Sequence, residues 1–205
     1  QALRRLIQKT RFAVSTEETR YYLNGIYLHT ADVDGVAVLR AVATDGHRLA
    51  QVDMPQPDGA AGIPGVIVPR KVVNELYRLI EDLDGPVTVS LSDDKIRIEF
   101  GETVLSSKLI DGTFPDYQRV IPEGNDKRLS VTTKDLIQAI DRVATVSTEK
   151  SRAVKIAVEK AKAVLSASSA ENASATEELP VDYDAESLEV GFNSKYLIDI
   201  LNECE

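Results

Sequence analysis

The run Ala43-Thr44-Asp45-Gly46-His47-Arg48-Leu49-Ala50 gathers the side chains of this chain best suited to chemistry. Asp45 and His47 supply a carboxylate and an imidazole, the pair that general acid–base catalysis uses, and His29 is the other histidine. Neighbouring turn residues rarely reach the geometry of a base and the group that orients it, so an enzyme is disfavoured and no catalytic residue is assigned. A metal centre is poorer still, with two histidines and a cysteine, Cys204, at the far end of the chain. No cofactor is implied. What the run offers is recognition: Thr44, His47 and Arg48 bring polar groups to a turn beside the apolar Leu49. A second unusual cluster, Phe114-Pro115-Asp116-Tyr117-Gln118-Arg119-Val120, lies further on.

The elements that position these clusters follow from periodicity. Thr44-Asp45-Gly46 joins two apolar runs, residues 36–43 and 49–54, as a β-hairpin, because Asp-Gly tolerates the positive φ of a tight turn. Residues 20–30, with Tyr21, Tyr22 and Tyr27, read as the strand before them, across a turn at Asp32-Val33-Asp34-Gly35. Residues 1–15 place Leu3, Leu6, Ile7 and Val14 on one face of a helix. Residues 67–83 read as a short strand running into a second helix. Residues 87–100 alternate as a hairpin with one buried and one wet face, and 103–110 add a strand. Pro122-Glu123-Gly124-Asn125-Asp126 is a polar breaker suited to a domain boundary. Beyond it come a short strand at 129–131, a helix at 136–144, a hairpin at 154–167, a strand at 188–192 and a final helix. The segment 166–178 is rich in Ser, Ala and Glu and reads as a mobile hairpin tip, having little apolar area to offset the entropy of ordering it.

At 205 residues and 43% hydrophobic, the chain can bury one large core or two of about 100 residues each. Lys and Arg total 24 against 33 Asp and Glu, a net charge of −9, so nonspecific adhesion of the whole surface to nucleic acid is disfavoured and any DNA contact must be local or topological. A single cysteine rules out an internal disulfide and fits a cytoplasmic protein. No apolar run approaches the length of a membrane span. Gln1 is followed at once by helical patterning and Glu205 closely follows an apolar run, so both ends are expected to be cut from a longer protein.

The helix starts repeat. Ile67-Val68-Pro69-Arg70-Lys71-Val72-Val73, Val131-Thr132-Thr133-Lys134-Asp135-Leu136-Ile137 and Phe192-Asn193-Ser194-Lys195-Tyr196-Leu197-Ile198 align column by column, and Arg4-Arg5-Leu6-Ile7 fits an earlier copy. The period is roughly sixty residues, the signature of a repeated unit of strand, helix and several antiparallel strands. The expected fold is α+β, with helices packed on antiparallel sheets.

Arg20-Tyr21-Tyr22-Leu23-Asn24-Gly25, the Thr44-Asp45-Gly46-His47-Arg48-Leu49 run, Val66-Ile67-Val68-Pro69-Arg70-Lys71, Ser107-Lys108-Leu109 with Asp111-Gly112, Phe114-Pro115-Asp116-Tyr117, and Gly191-Phe192-Asn193 with Tyr196 together resemble the bacterial sliding clamps, the β subunits of DNA polymerase III. The resemblance covers the chain from end to end. It implies two processivity-clamp domains: residues 1–121 as the middle domain and 122–205 as an incomplete third, without the family's first domain and last strands. It also implies a head-to-tail homodimeric ring around double-stranded DNA in the full-length protein, and a monomer for this chain alone. Ring helices would face the DNA, with Arg4, Arg5, Lys9, Arg11, Arg70, Lys71, Lys134 and Lys195 as inner-face candidates and Arg20, Tyr21 and Tyr22 in a DNA-touching loop. The resemblance further implies a groove for short peptides of the replicative polymerase, the clamp loader and other clamp-motif proteins, at Leu23, Thr44, Gly46, His47, Arg48, Leu49, Pro115, Arg119, Val120, Asn193 and Tyr196. Ser151 stands where some members carry a bulky aromatic, which would open the groove. A protein-binding scaffold that does not encircle DNA is the rival reading, and ring closure distinguishes the two.

Overall fold

A computed structural model describes residues 1–147, 152–169 and 173–204. The chain forms two compact units, Gln1–Gln118 and Arg119–Glu205. The division falls inside the one-turn 3-10 helix Tyr117–Val120, just ahead of the polar run read as a boundary from sequence.

In the first unit, α1 (Ala2–Arg11) is followed by β1 (Gly25–Val33), β2 (Val36–Thr44) and β3 (Leu49–Pro55), then β4 (Val66–Pro69) runs into α2 (Arg70–Leu79). Their antiparallel sheet has the order β3-β2-β1-β4. A second sheet, β5-β6-β7, is built from Thr88–Leu91, Lys95–Phe100 and Thr103–Lys108. Between β1 and β2, Asp34 (φ 54°) and Gly35 (φ 82°) both take the left-handed conformation of a tight two-residue hairpin, and the Gly35 N–H donates to Asp32 Oδ1 at 2.9 Å.

The main core lies on one face of the first sheet. Leu6 and Ile7 of α1, Val72, Val73 and Leu76 of α2, Ile26, Leu28, Leu39, Ala41, Ala43, Val66 and Val68 of the sheet, and Ile96, Ile98 and Phe100 of β6 form one cluster. The other face is also covered: Leu23, Val42, Ile67, Phe114 and Tyr117 are buried together, with Tyr22, Tyr27, Leu49 and Ile110 packed against them. A strand buried on both faces has no wet side to alternate with, which is why β2 is buried without a break from Val38 to Ala43.

The second unit repeats the plan on a sheet of order β10-β9-β8-β11, with strands Ala153–Glu159 (β8), Lys162–Ser168 (β9), Ser174–Pro180 (β10) and Leu188–Asn193 (β11). Helices α3 (Thr133–Ala144) and α4 (Ser194–Leu201) pack against each other, and Ala139, Ile140 and Val143 meet Val154, Ile156, Val158 and Leu165 in its core. Each repeated cationic motif sits at a helix start, as the period requires: Arg70 opens α2, Lys134 follows Thr133 in α3, and Lys195 follows Ser194 in α4.

Several expectations are corrected. Residues 20–24 are no strand: Tyr21–Leu23 is a 3-10 turn, closed by Leu23 N–H to Arg20 O at 2.9 Å and Asn24 N–H to Tyr21 O at 3.0 Å. Pairing starts only at Gly25, where a Cβ would lie 2.3 Å from the Val68 carbonyl oxygen. The short strand at 129–131 is a single bridge, Ser130 to Asp182. In the second hairpin Val89 pairs with Ile98 on the same face yet is 41% exposed, β5 being the edge strand of its sheet. The segment 166–178 is no loose tip over its described residues: Ser168 pairs with Ser174 and Thr176 with Ser166, Leu179 is buried, and Glu177 is ion-paired with Arg142 of α3. Its residues 170–172, and Ser151, lie outside the described residues.

Candidate functional site

The loop of residues 45–48 is held by its own side chains. Thr44 Oγ1 accepts from the Gly46 N–H at 3.0 Å and donates to the Arg48 carbonyl at 2.7 Å. Asp45 Oδ1 accepts the N–H groups of His47 (2.9 Å) and Arg48 (3.1 Å), and Oδ2 accepts from Arg48 Nε at 3.1 Å. Both Asp45 carboxylate oxygens therefore brace their own turn. The rest of the Arg48 guanidinium reaches back to the Phe12 carbonyl at 2.7 Å and lies 5.4 Å from that ring, tying the loop to the end of α1. Asp45→Ala unlocks two N–H groups and an ion pair that is only about 15% exposed, and a loss of about 2 kcal/mol is expected by denaturant unfolding.

Gly46 (φ 88°) is a position only glycine fits comfortably, and the Arg20 guanidinium occupies the space a Cβ would fill, 2.3 Å from its ideal position. Arg20 is held there by Glu17 at 2.8 Å. Gly112 likewise leaves room for Tyr22 and Tyr21, at 3.1 and 3.4 Å from an ideal Cβ. The Arg20-Tyr21-Tyr22 turn, the 44–49 loop and the 110–117 segment thus meet at one end of the first sheet, a convergence that sequence spacing does not show.

At that end Leu49 is half-buried against the cluster of Leu23, Val42, Ile67, Phe114 and Tyr117. Leu23 is only 3% exposed and supports this wall from within. Pro115, Gly46 and His47 are exposed and Thr44 is half-exposed. Arg119 and Val120 are exposed, Val120 at 68%. Asn193 and Tyr196 belong to the second unit, where Asn193 Oδ1 caps α4 by accepting the Lys195 N–H at 3.0 Å and Tyr196 is half-buried on the helix.

Beneath the wall runs a polar chain that motif reading missed. Arg40, 8% exposed, grips Asp53 with two hydrogen bonds of 2.7 Å, and this bond, more than the opposing cost of burial, holds its guanidinium above its ordinary pKa. Arg40 Nη1 also donates to the Tyr117 hydroxyl at 3.4 Å, which lies 3.0 Å from His29 Nε2. Tyr27 stacks between His29 (4.7 Å) and Phe114 (4.9 Å), and burial, followed by the nearby Tyr117, pushes its hydroxyl up. The available signal was a charge inside each of two paired apolar runs: Arg40 in β2 and Asp53 directly opposite it in β3.

The cations of the helices are distributed unevenly. On α1, Arg4 pairs with Glu81 at 3.0 Å and both Arg4 and Arg11 lie over the Tyr77 ring, at 5.1 and 4.0 Å, while Arg5 is exposed and Lys9 half-exposed. Arg70, Lys71 and Lys134 are exposed at their helix starts, and Lys195 pairs with Asp199 at 3.1 Å. Among the described residues no group of three or more His, Cys, Asp or Glu could hold a metal ion, and no helix is long and apolar enough to cross a membrane.

Two units of paired helices on antiparallel sheets, with cations at their helix starts, define a repeated α+β fold. Residues 1–116 match the family model of the DNA polymerase III beta subunit central domain, and residues 118–205 that of its C-terminal domain. The chain belongs to the DNA polymerase III beta subunit family. It is 56% identical over 199 residues to the Beta sliding clamp of Caulobacter vibrioides, covering 97% of this chain and 54% of that protein. It is 41% identical over 205 residues to the Beta sliding clamp of Escherichia coli K12, covering 99% and 55%. Among solved structures, a sliding clamp of Bartonella birtlesii bound to griselimycin superposes with a TM-score of 0.97 at 53% identity, covering 100% of this chain and 55% of that one. The chain thus spans about half the length of the curated relatives it matches.

Proposed function

We propose that this chain is the middle domain (residues 1–121) and part of the third (122–205) of a cytoplasmic sliding clamp. In full length that protein is a head-to-tail homodimeric ring that encircles duplex DNA and tethers the replicative polymerase, the clamp loader and other clamp-motif proteins, with no chemistry of its own. The match of both family models from end to end carries this reading. Encirclement answers the charge problem: a protein of net −9 stays on DNA by topology, and helix-start cations need only weak, salt-sensitive contacts to slide.

The peptide groove is proposed at Leu49, Pro115, Thr44, Gly46, His47, Arg48, Arg119 and Val120, with Leu23 behind them and Asn193 and Tyr196 supplied by the third domain. An apolar wall with donors at its rim suits a peptide that inserts Leu or Phe anchors beside a Gln. The test is fluorescence anisotropy of a labelled Gln-Leu-Ser-Leu-Phe peptide titrated with the full-length protein: saturable binding is expected, and its absence overturns the groove.

DNA contact is proposed for Arg4, Arg5, Lys9, Arg11, Arg70, Lys71, Lys134 and Lys195, and for the Arg20-Tyr21-Tyr22 turn. Because Arg4 and Arg11 also hold Tyr77, the exposed Arg5 is the cleaner probe on α1. Replacing Arg5, Lys9, Arg70 and Lys71 together with Gln is expected to lower the slope of log affinity for open primed DNA against log salt by about 2 to 4, each lost phosphate contact removing about 0.9. An unchanged slope removes these residues from the DNA-facing surface.

A further inference from the structure

We propose that the chain Asp53–Arg40–Tyr117–His29 is the positioning device of the peptide groove, setting the pose of residues 114–117 and so the wall that a bound peptide meets. The proposal rests on the groove reading above.

The four residues come from three strands and one turn; Arg40 donates to Asp53 on one side, and on the other the hydrogen bonds run in one direction from Arg40 through Tyr117 and His29 to the Thr30 carbonyl. His29 Nδ1 lies 2.8 Å from the Thr30 carbonyl oxygen, which can only accept, so Nδ1 carries the proton. In the neutral ring Nε2 is then an acceptor and takes the Tyr117 O–H. The Tyr117 oxygen, having given its proton, accepts from Arg40, and Arg40 is fixed by both oxygens of Asp53. Every member is satisfied only when Tyr117 stands in this one place, which is how a buried polar chain selects a single packing over other apolar ones.

The consequence reaches the surface through short covalent links. Phe114, stacked on Tyr27 at 4.9 Å and 7°, precedes the exposed Pro115, and Tyr117 opens the 3-10 turn that carries Arg119 and Val120. Leu49 rests on the cluster that includes both rings. Apolar contact alone would let the Phe114 and Tyr117 rings slide over the sheet face, because dispersion has little directional preference. The two hydrogen bonds at the Tyr117 oxygen supply the direction. Tyr117, His29 and Arg40 touch no peptide in this scheme; they are positioning residues.

The test uses the full-length protein and the labelled Gln-Leu-Ser-Leu-Phe peptide. Tyr117→Phe keeps the ring and removes the oxygen, and His29→Leu keeps bulk and removes the acceptor; each is expected to weaken binding about tenfold. His29→Gln, whose amide can donate to the Thr30 carbonyl and accept from Tyr117, is expected to restore binding to within about threefold. The ring nitrogens of His29 give an independent readout: their 15N signals should show a protonated Nδ1 and an unprotonated, hydrogen-bonded Nε2, with the Nε2 signal moving in Tyr117→Phe. Parent-like binding in both Tyr117→Phe and His29→Leu overturns the proposal. So does a His29→Gln variant as weak as His29→Leu, which would make ring shape the cause, or a protonated Nε2 in the parent. If the parent itself does not bind the peptide, the groove reading falls and this proposal falls with it.

Discussion

Leu49→Lys in the full-length protein is expected to weaken binding of a Gln-Leu-Ser-Leu-Phe peptide by about 100-fold while leaving the melting temperature within a few degrees. Leu49 is half-buried, packed on one side against Leu23, Val42, Ile67, Phe114 and Tyr117 and open on the other. A lysine there can lay its methylenes along the same cluster and carry its ammonium out to water, so the fold tolerates it. An incoming Leu or Phe anchor fares differently. It loses an apolar partner and must desolvate an ammonium in the pocket it enters, a difference of about 2 to 3 kcal/mol, or about 100-fold in Kd. Processive synthesis by the polymerase should fall with it. Binding within about threefold of the parent would show that Leu49 lines no part of the peptide site.

Gly25→Ala is expected to cost about 3 kcal/mol and lower the melting temperature by roughly 10 °C. Gly25 opens β1, where β1 and β4 are so close that an added Cβ would sit 2.3 Å from the Val68 carbonyl oxygen and 2.9 Å from Ile67 Cγ2. The nearer atom belongs to the backbone of a paired strand, so relief requires the two strands to part. That movement would also strain the neighbouring Arg70 N–H to Asn24 O bond of 2.9 Å, which ties the start of α2 to the Tyr21–Leu23 turn. Gly191→Ala, in β11, is the matched control. No atom lies within 4 Å of its added Cβ and its φ is not in the left-handed region, so a change of no more than about 0.5 kcal/mol is expected. Calorimetry of both variants decides it: equal melting temperatures would show that close approach at Gly25 does not limit the fold.

The sequence by itself determined whatever depends on neighbours along the chain. Alternation located β6 through Ile96, Ile98 and Phe100, the three-and-four spacing of Leu3, Leu6 and Ile7 located α1, and Asp34-Gly35 located a hairpin turn. The repeated helix starts gave the modular plan, and the Thr44–Leu49 and Phe114–Tyr117 motifs, each contiguous, gave the family. Where a strand has one buried face or a turn needs a positive φ, the requirement is written in adjacent residues. Tertiary structure alone decided how those segments meet. Residues 20–24 carry the aromatics of a strand yet close into a 3-10 turn, because the chain must turn before the tight β1–β4 pairing at Gly25. Leu23, read as groove surface, is buried in the cluster beneath Leu49; Arg20 covers Gly46; Arg4, in a stretch of cations without an acid, finds Glu81. The Tyr117 oxygen joins His29 and Arg40 across separations of 88 and 77 residues. Hydrogen-bond direction, desolvation and close approach act over a few ångströms in space, and no spacing along a chain records which distant residues will come that near.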